Sequence, residues 1–130
     1  MYTQETGGVV IRVEPSFLES ESDPEAGRFV WTYTVVIENT GGGAIQLMER
    51  EWRITDSANR TEIVRGEGVV GEQPVIRPGS AFRYTSGAPL RTPSGFMRGA
   101  YVFRCENGQQ FSADIPAFAL DSPLSRSTRH

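Results

Sequence analysis

Between Arg28 and Glu38 every odd position is apolar or aromatic: Phe29, Trp31, Tyr33, Val35 and Ile37. The even positions include Thr32, Thr34 and Glu38. A period of two over this length is the signature of a strand with one face in a core, and no helix can satisfy it. The same alternation returns elsewhere. From Ala44 to Thr55 it sets Met48, Arg50, Trp52 and Ile54 on one side and Glu49, Glu51 and Arg53 on the other. From Phe96 to Cys105 it sets Met97, Tyr101 and Phe103 against Arg98 and Arg104. Phe111, Ala113 and Ile115 alternate with Gln110, Ser112 and Asp114. Shorter strands are expected at Val9–Val13, Thr61–Val64, Val75–Arg77 and Ala81–Thr85.

Turn chemistry separates these runs at Asn39-Thr40-Gly41-Gly42-Gly43, Asp56-Ser57-Ala58-Asn59, Arg77-Pro78-Gly79-Ser80 and Glu106-Asn107-Gly108. Asn-Gly suits a tight hairpin and Pro-Gly a type II turn. Residues 19–27 and 88–95 are rich in polar residues or proline and are expected to be loops. No apolar pattern of helical period occurs. Seven or eight short strands at this spacing point to a sandwich or a small barrel. With 130 residues and thirteen aromatics, one self-supporting domain is expected over residues 1–126, followed by a short tail at 127–130.

The same inventory excludes several functions. No apolar run is long enough to span a bilayer, and the first residues carry no basic and apolar leader, so a cytoplasmic protein without membrane contact is expected. Cys105 is the single cysteine and His130, at the terminus, the single histidine. Neither a tetrahedral Cys/His metal site nor a Ser–His–Asp or Cys–His nucleophile can be assembled from them, so no cofactor, metal or catalytic residue is assigned. Glu49 and Glu51 project about 7 Å apart on one strand face, which is ordinary for solvated surface. Glu19-Ser20-Glu21-Ser22-Asp23 is the densest acidic stretch and reads as a solvated loop. The net charge of −3 argues against a nucleic-acid binder.

Charge is nevertheless segregated. Residues 1–72 hold thirteen acids and six arginines, whereas residues 73–105 hold five arginines and no acid. Arg98 and Arg104 share a strand face, and Arg83 lies on a short strand, so convergence would create a surface for carboxylates or phosphates. Tyr84, Thr85 and Ser86 would add hydroxyls. Dispersed arginines balanced by the acidic half are the plainer reading. Gly66-x-Gly68-x-x-Gly71 has the spacing of a dinucleotide fingerprint. Pro74 and the absence of a following helical pattern remove the helix N-terminus that such a motif needs. A glycine-rich β-loop is expected instead, with contact of an anion by loop amides as the alternative. Arg50, on the side of Trp52, is expected to lay its stem on aromatic surface and to pair with Asp56 or Glu62.

Taken in order, Tyr33-Thr34-Val35, Ile37-Glu38-Asn39, Arg50-Glu51-Trp52, Ile54-Thr55-Asp56, the run from Gly66 to Pro74, Tyr84-Thr85-Ser86-Gly87, the run from Thr92 to Gly99 and Ile115-Pro116-Ala117-Phe118 resemble the bacterial ApaG family. The resemblance spans about residues 10–120. One departure is Glu51, where many relatives would carry His; a chemical role for that His would be absent here. The resemblance implies an all-β, immunoglobulin- or fibronectin-type-III-like sandwich of seven to eight mostly antiparallel strands. It also implies an association with magnesium and cobalt homeostasis, and kinship with domains appended to eukaryotic adaptor proteins. A non-catalytic module binding a protein partner of unknown identity is therefore expected, with exposed Leu90, Phe96 and Val70 as its marks. The alternative is a phosphorylated small molecule, pyrophosphate or a diadenosine polyphosphate, held by Gly66, Gly68, Gly71, Arg83, Arg98 and Arg104. Homodimerisation through an edge strand stays open under either reading.

Overall fold

The computed structural model describes residues 1–123, so the expected tail at 127–130 and His130 lie outside the described residues. The alternating segment forms β3 (Phe29–Asn39), whose six odd residues are all buried. It lies between β2 (Val9–Phe17) and β7 (Ala81–Leu90) in a four-stranded antiparallel sheet whose outer member is β1 (Tyr2–Thr6), in the order β1-β2-β3-β7. The second sheet runs β5-β4-β8-β9, from β5 (Thr61–Glu67) and β4 (Ile45–Asp56) to β8 (Gly95–Cys105) and β9 (Gln110–Leu120). The two-residue β6 (Val75–Ile76) pairs with β4 near its start. Every pairing is antiparallel. The architecture is an all-β sandwich, as the alternation and the resemblance implied.

The inward faces meet in an interlocked aromatic core. Trp52 sits edge-on to Tyr33 at 5.1 Å and to Phe118 at 5.9 Å, with Tyr101 at 6.4 Å on the other side. Such tilted contacts match the positive ring edge to the negative ring face. Trp31 is buried too, and its indole N–H donates to the Asp121 carbonyl at 2.8 Å, which fixes the end of β9 to the first sheet. Gly99 lies opposite Trp52 in the β4–β8 pair. A Cβ there would stand 3.1 Å from the indole and 2.2 Å from the Glu51 carbonyl oxygen, so the glycine makes room for the ring.

Three details differ from the expectations. Residues 88–95 are not a loop: Ala88–Leu90 complete β7 and Gly95 opens β8, leaving residues 91–94 as the connection. An edge strand can carry Pro89 because the missing N–H need not face a neighbour. The polar segment 2–6 forms β1, foreshadowed only by the Gly7-Gly8 pair, whose φ angles of +50° and +84° suit a hairpin turn. Strict alternation also fails within β4. Leu47 faces Phe103 and Glu49 faces Val102, so Met48 is an extra residue in a bulge. Ile45 and Leu47 therefore reach the core on one phase, while Arg50, Trp52 and Ile54 point inward on the other. A second bulge sets Pro116 and Ala117 between the pairs Met97–Phe118 and Gly99–Ile115.

The sandwich is closed along one side, where β1 and β2 pack on β9 and the Tyr2 ring lies 6.0 Å from Phe118. The opposite side is bounded by β5 and β7, the end strands of their sheets. Among the described residues no helix is long and apolar enough to cross a membrane.

Candidate functional site

The glycine motif folds as a hairpin tip. Val69 and Glu72 exchange backbone hydrogen bonds of 2.8 and 2.9 Å around Val70 (φ +44°) and Gly71 (φ +80°). Positive φ at both central positions defines a type I′ turn. Gly68, at φ +61°, could carry no Cβ, which would stand 2.0 Å from the Glu72 carbonyl oxygen. The amides of Gly68, Val69 and Glu72 already donate to the carbonyls of Met48, Glu72 and Val69. An anion at this tip would therefore find only the Val70 and Gly71 amides uncommitted to this ladder. Val70 is the unusual residue: a β-branched side chain in the left-handed region, 56% exposed.

Arg50 explains Gly66. The two residues are paired across β4 and β5, and a Cβ on Gly66 would stand 2.6 Å from the Arg50 Nη1. That Nη1 donates to the carbonyl oxygens of Glu67 (3.2 Å) and Gly68 (3.0 Å), binding the strand to the hairpin. The expected carboxylate partners are corrected. Asp56 lies six residues further along β4, about 20 Å away on strand geometry. Its carboxylate accepts instead from the Ala58 and Arg60 amides and from Arg60 Nε at 3.0 Å. Glu62 pairs with Ile54, four residues from the Arg50 position.

Beneath Arg50 lie three buried phenols. The Tyr84 and Tyr101 hydroxyls hydrogen-bond to each other across the two sheets. Burial pushes the pKa of Tyr33, Tyr84 and Tyr101 up, and the Arg50 charge offsets this only in part, so all three stay protonated at neutral pH. Tyr84 is thus an internal strut and offers no hydroxyl to the surface. Thr85 is bound to Thr34 at 2.9 Å on the outer face of the first sheet.

The three candidate arginines of the basic segment, Arg83, Arg98 and Arg104, do not converge. Arg83 pairs with Val36 on the outer face of the four-stranded sheet. Arg98 and Arg104 lie on the outer face of the other sheet, six residues or about 20 Å apart, and Arg104 donates to Gln46 at 3.0 Å. The glycine hairpin joins neither group into a cleft: Arg83 borders a hollow with Arg12 and Glu14, and Arg98 one with Arg53 and Asp114.

The outer face of the five-stranded sheet is chemically the most distinctive surface. Cross-strand register sets Arg53 directly opposite Arg98, with Ile63 beside Arg53 and Phe96 one row away beside Thr55. Phe96 is 46% exposed and Ile63 47%. Like charges directly opposed on a sheet repel. One side is relieved by Glu51, which accepts from Arg53 Nε and from Arg65 Nε, each at 3.3 Å. Those guanidinium contacts hold the Glu51 carboxyl below its ordinary pKa. Glu51 is therefore a clamp between β4 and β5 and not a proton donor, which requires a raised pKa. The alternation reading found Arg98 but not Arg53 as its neighbour, because register between distant strands is not written in either strand alone. Leu90, whose exposure would have marked a contact patch, is buried at 9%. Among the described residues no group of three or more His, Cys, Asp or Glu could hold a metal ion.

Comparison with known proteins agrees with this architecture. The ApaG domain family matches residues 19–105. "Protein ApaG" of Maricaulis maris is 59% identical over 130 residues, covering all of both chains. Its counterpart in Rhodospirillum centenum is 54% identical over 127 residues, covering 98% of each. A crystal structure of a Bordetella pertussis protein described as ApaA superposes with a TM-score of 0.86 at 46% identity, covering 88% of this chain and 94% of that one.

Proposed function

The chain belongs to the ApaG family, and from that premise we propose that it is a non-catalytic binding module that docks a protein partner on the outer face of its five-stranded sheet. The observation that carries this reading is the exposed pair Phe96 and Ile63 bracketing the opposed arginines Arg53 and Arg98. Aromatic and arginine side chains dominate the energetics of protein interfaces. A partner carboxylate between the two guanidiniums would relieve their repulsion on binding, so an acidic partner is favoured. A cytoplasmic setting suits a chain with one cysteine and no disulfide requirement. The magnesium and cobalt association is read as an indirect consequence of partner binding.

A phosphorylated ligand has weaker support, since the glycine hairpin has spent three of its amides and the arginines offered to it lie on opposite faces. The test is affinity capture from bacterial extract with wild-type, Phe96→Ser and Arg98→Glu baits. An acidic protein retained by wild type and lost with both variants is expected. Equal capture by all three baits, or saturable amide shifts at Gly66–Gly71 with pyrophosphate, would refute the docking face.

A further inference from the structure

At one end of the open side, between β5 and β7, lies a concavity of about 610 Å³ whose lining includes three arginines from three separate segments. Arg28 follows the turn 24–26, Arg60 closes the β4–β5 turn, and Arg91 follows β7. None was singled out as a site by the pattern of the sequence, because each belongs to a different turn. The segments are tied together: the Ser57 amide donates to Thr92 Oγ1 at 3.1 Å and to the Ser94 carbonyl at 3.1 Å, and Gly27 packs beside the Arg91 carbonyl.

The guanidiniums are oriented in a particular way. Arg28 donates through Nε to the Glu21 carbonyl at 3.3 Å, and Arg60 through Nε to Asp56 Oδ2 at 3.0 Å. Their terminal Nη groups, and all of the Arg91 fork, have no partner among the described residues. Anchoring at Nε while leaving the Nη pair free presents the edge that recognises planar oxyanions. Charge narrows the ligand. Three arginines share the lining with Asp56 and Glu62, a local balance of +1, which matches a single negative charge better than a phosphate dianion. Apolar surface from Ile54, Pro89 and Leu90 lines the same hollow, and its volume falls in the usual range for small-molecule sites.

We propose that this concavity is a binding site for a small carboxylate with an apolar body, held by Arg28, Arg60 and Arg91. It is separate from the sheet face assigned to a protein partner and does not depend on that reading. Sodium butyrate is the probe, titrated into labelled protein while the arginine Nε–H resonances and the Gly27 and Leu90 amides are followed. Saturable millimolar shifts confined to this end are expected. Arg91→Ala, which removes an unpartnered side chain, should raise the dissociation constant about tenfold or more, while Arg77→Ala on exposed surface should not change it. Three results would overturn the proposal: shifts reproduced by sodium chloride at equal ionic strength, equal losses in both variants, or tighter binding of inorganic phosphate than of butyrate. Absence of any shift would do so as well, and none of these results bears on capture by the sheet face.

Discussion

Removing one phenolic oxygen from either side of the Tyr84–Tyr101 bond should destabilise the fold unequally. Tyr101 is fully buried and Tyr84 is 7% exposed, and each hydroxyl is the other's hydrogen-bond partner. Tyr84→Phe leaves the Tyr101 hydroxyl unpaired and out of reach of water. A buried unsatisfied group costs about 1–3 kcal/mol, and this one should fall near the top, about 2–3 kcal/mol. Tyr101→Phe leaves the hydroxyl of the less deeply buried Tyr84 unpaired, so a smaller loss of about 1 kcal/mol is expected. In the double variant both oxygens are gone while both rings remain. Its stability should return to within about 1 kcal/mol of wild type, giving a coupling of roughly 2 kcal/mol. Urea denaturation followed by tryptophan fluorescence measures all four proteins. With a slope of about 2 kcal/mol/M, Tyr84→Phe should lower the midpoint by about 1 M. Additive losses in the double variant, or a larger loss for Tyr101→Phe, would refute the reasoning.

Other consequences are as direct. Gly99→Ala would drive a Cβ to 2.2 Å from the Glu51 carbonyl oxygen and against Trp52, and should cost at least about 3 kcal/mol in the same urea assay. Val70→Asn should stabilise the protein by about 1 kcal/mol, seen as a melting temperature roughly 3 °C higher, because Asn tolerates the left-handed region that strains Val. Gly66→Ala should displace the Arg50 guanidinium from the Glu67 and Gly68 carbonyls, and arginine side-chain NMR should report its release. Asp56 and Glu51 both have carboxyl pKa values lowered in the fold, by the Arg60 amide and guanidinium for Asp56 and by Arg65 and Arg53 for Glu51. Their contribution is therefore complete above the unfolded pKa of about 4 and is lost as pH falls through the lower folded values. Urea midpoints should drop below about pH 4, and Asp56→Asn should flatten that fall.

Much of the core could be read directly from the chain. Phe29, Trp31, Tyr33, Val35 and Ile37 turn inward as their spacing required, and Met97, Tyr101 and Phe103 do the same. Alternation is a local property, so it survives whatever the rest of the fold does. Register and convergence are not local. Nothing near Arg53 announces Arg98, and nothing near Arg28 announces Arg60 or Arg91, since these meetings are decided by strand pairings and by three turns packing together. The arginines of the basic segment 73–105 are near in sequence, yet the plainer, dispersed reading is the one that holds. Successive strands cross between sheets, and so its charges are dealt to opposite faces. Arg50 failed for a related reason: an inward parity was legible, but the nearest acceptors along its row are backbone carbonyls, which composition does not reveal.

The extra residue at Met48 gives β4 the character of a shifted reading frame. Everything before it is counted on one parity and everything after on the other, and both halves make sense only with that one residue retained. Deleting Met48 would send Ile45 and Leu47 outward, or Arg50, Trp52 and Ile54 outward, although no core side chain had been altered. A substitution at the same position would touch a single half-exposed side chain. The strand should thus accept many spellings at position 48 but only one length, and drift among relatives should be free in letters there and frozen in count.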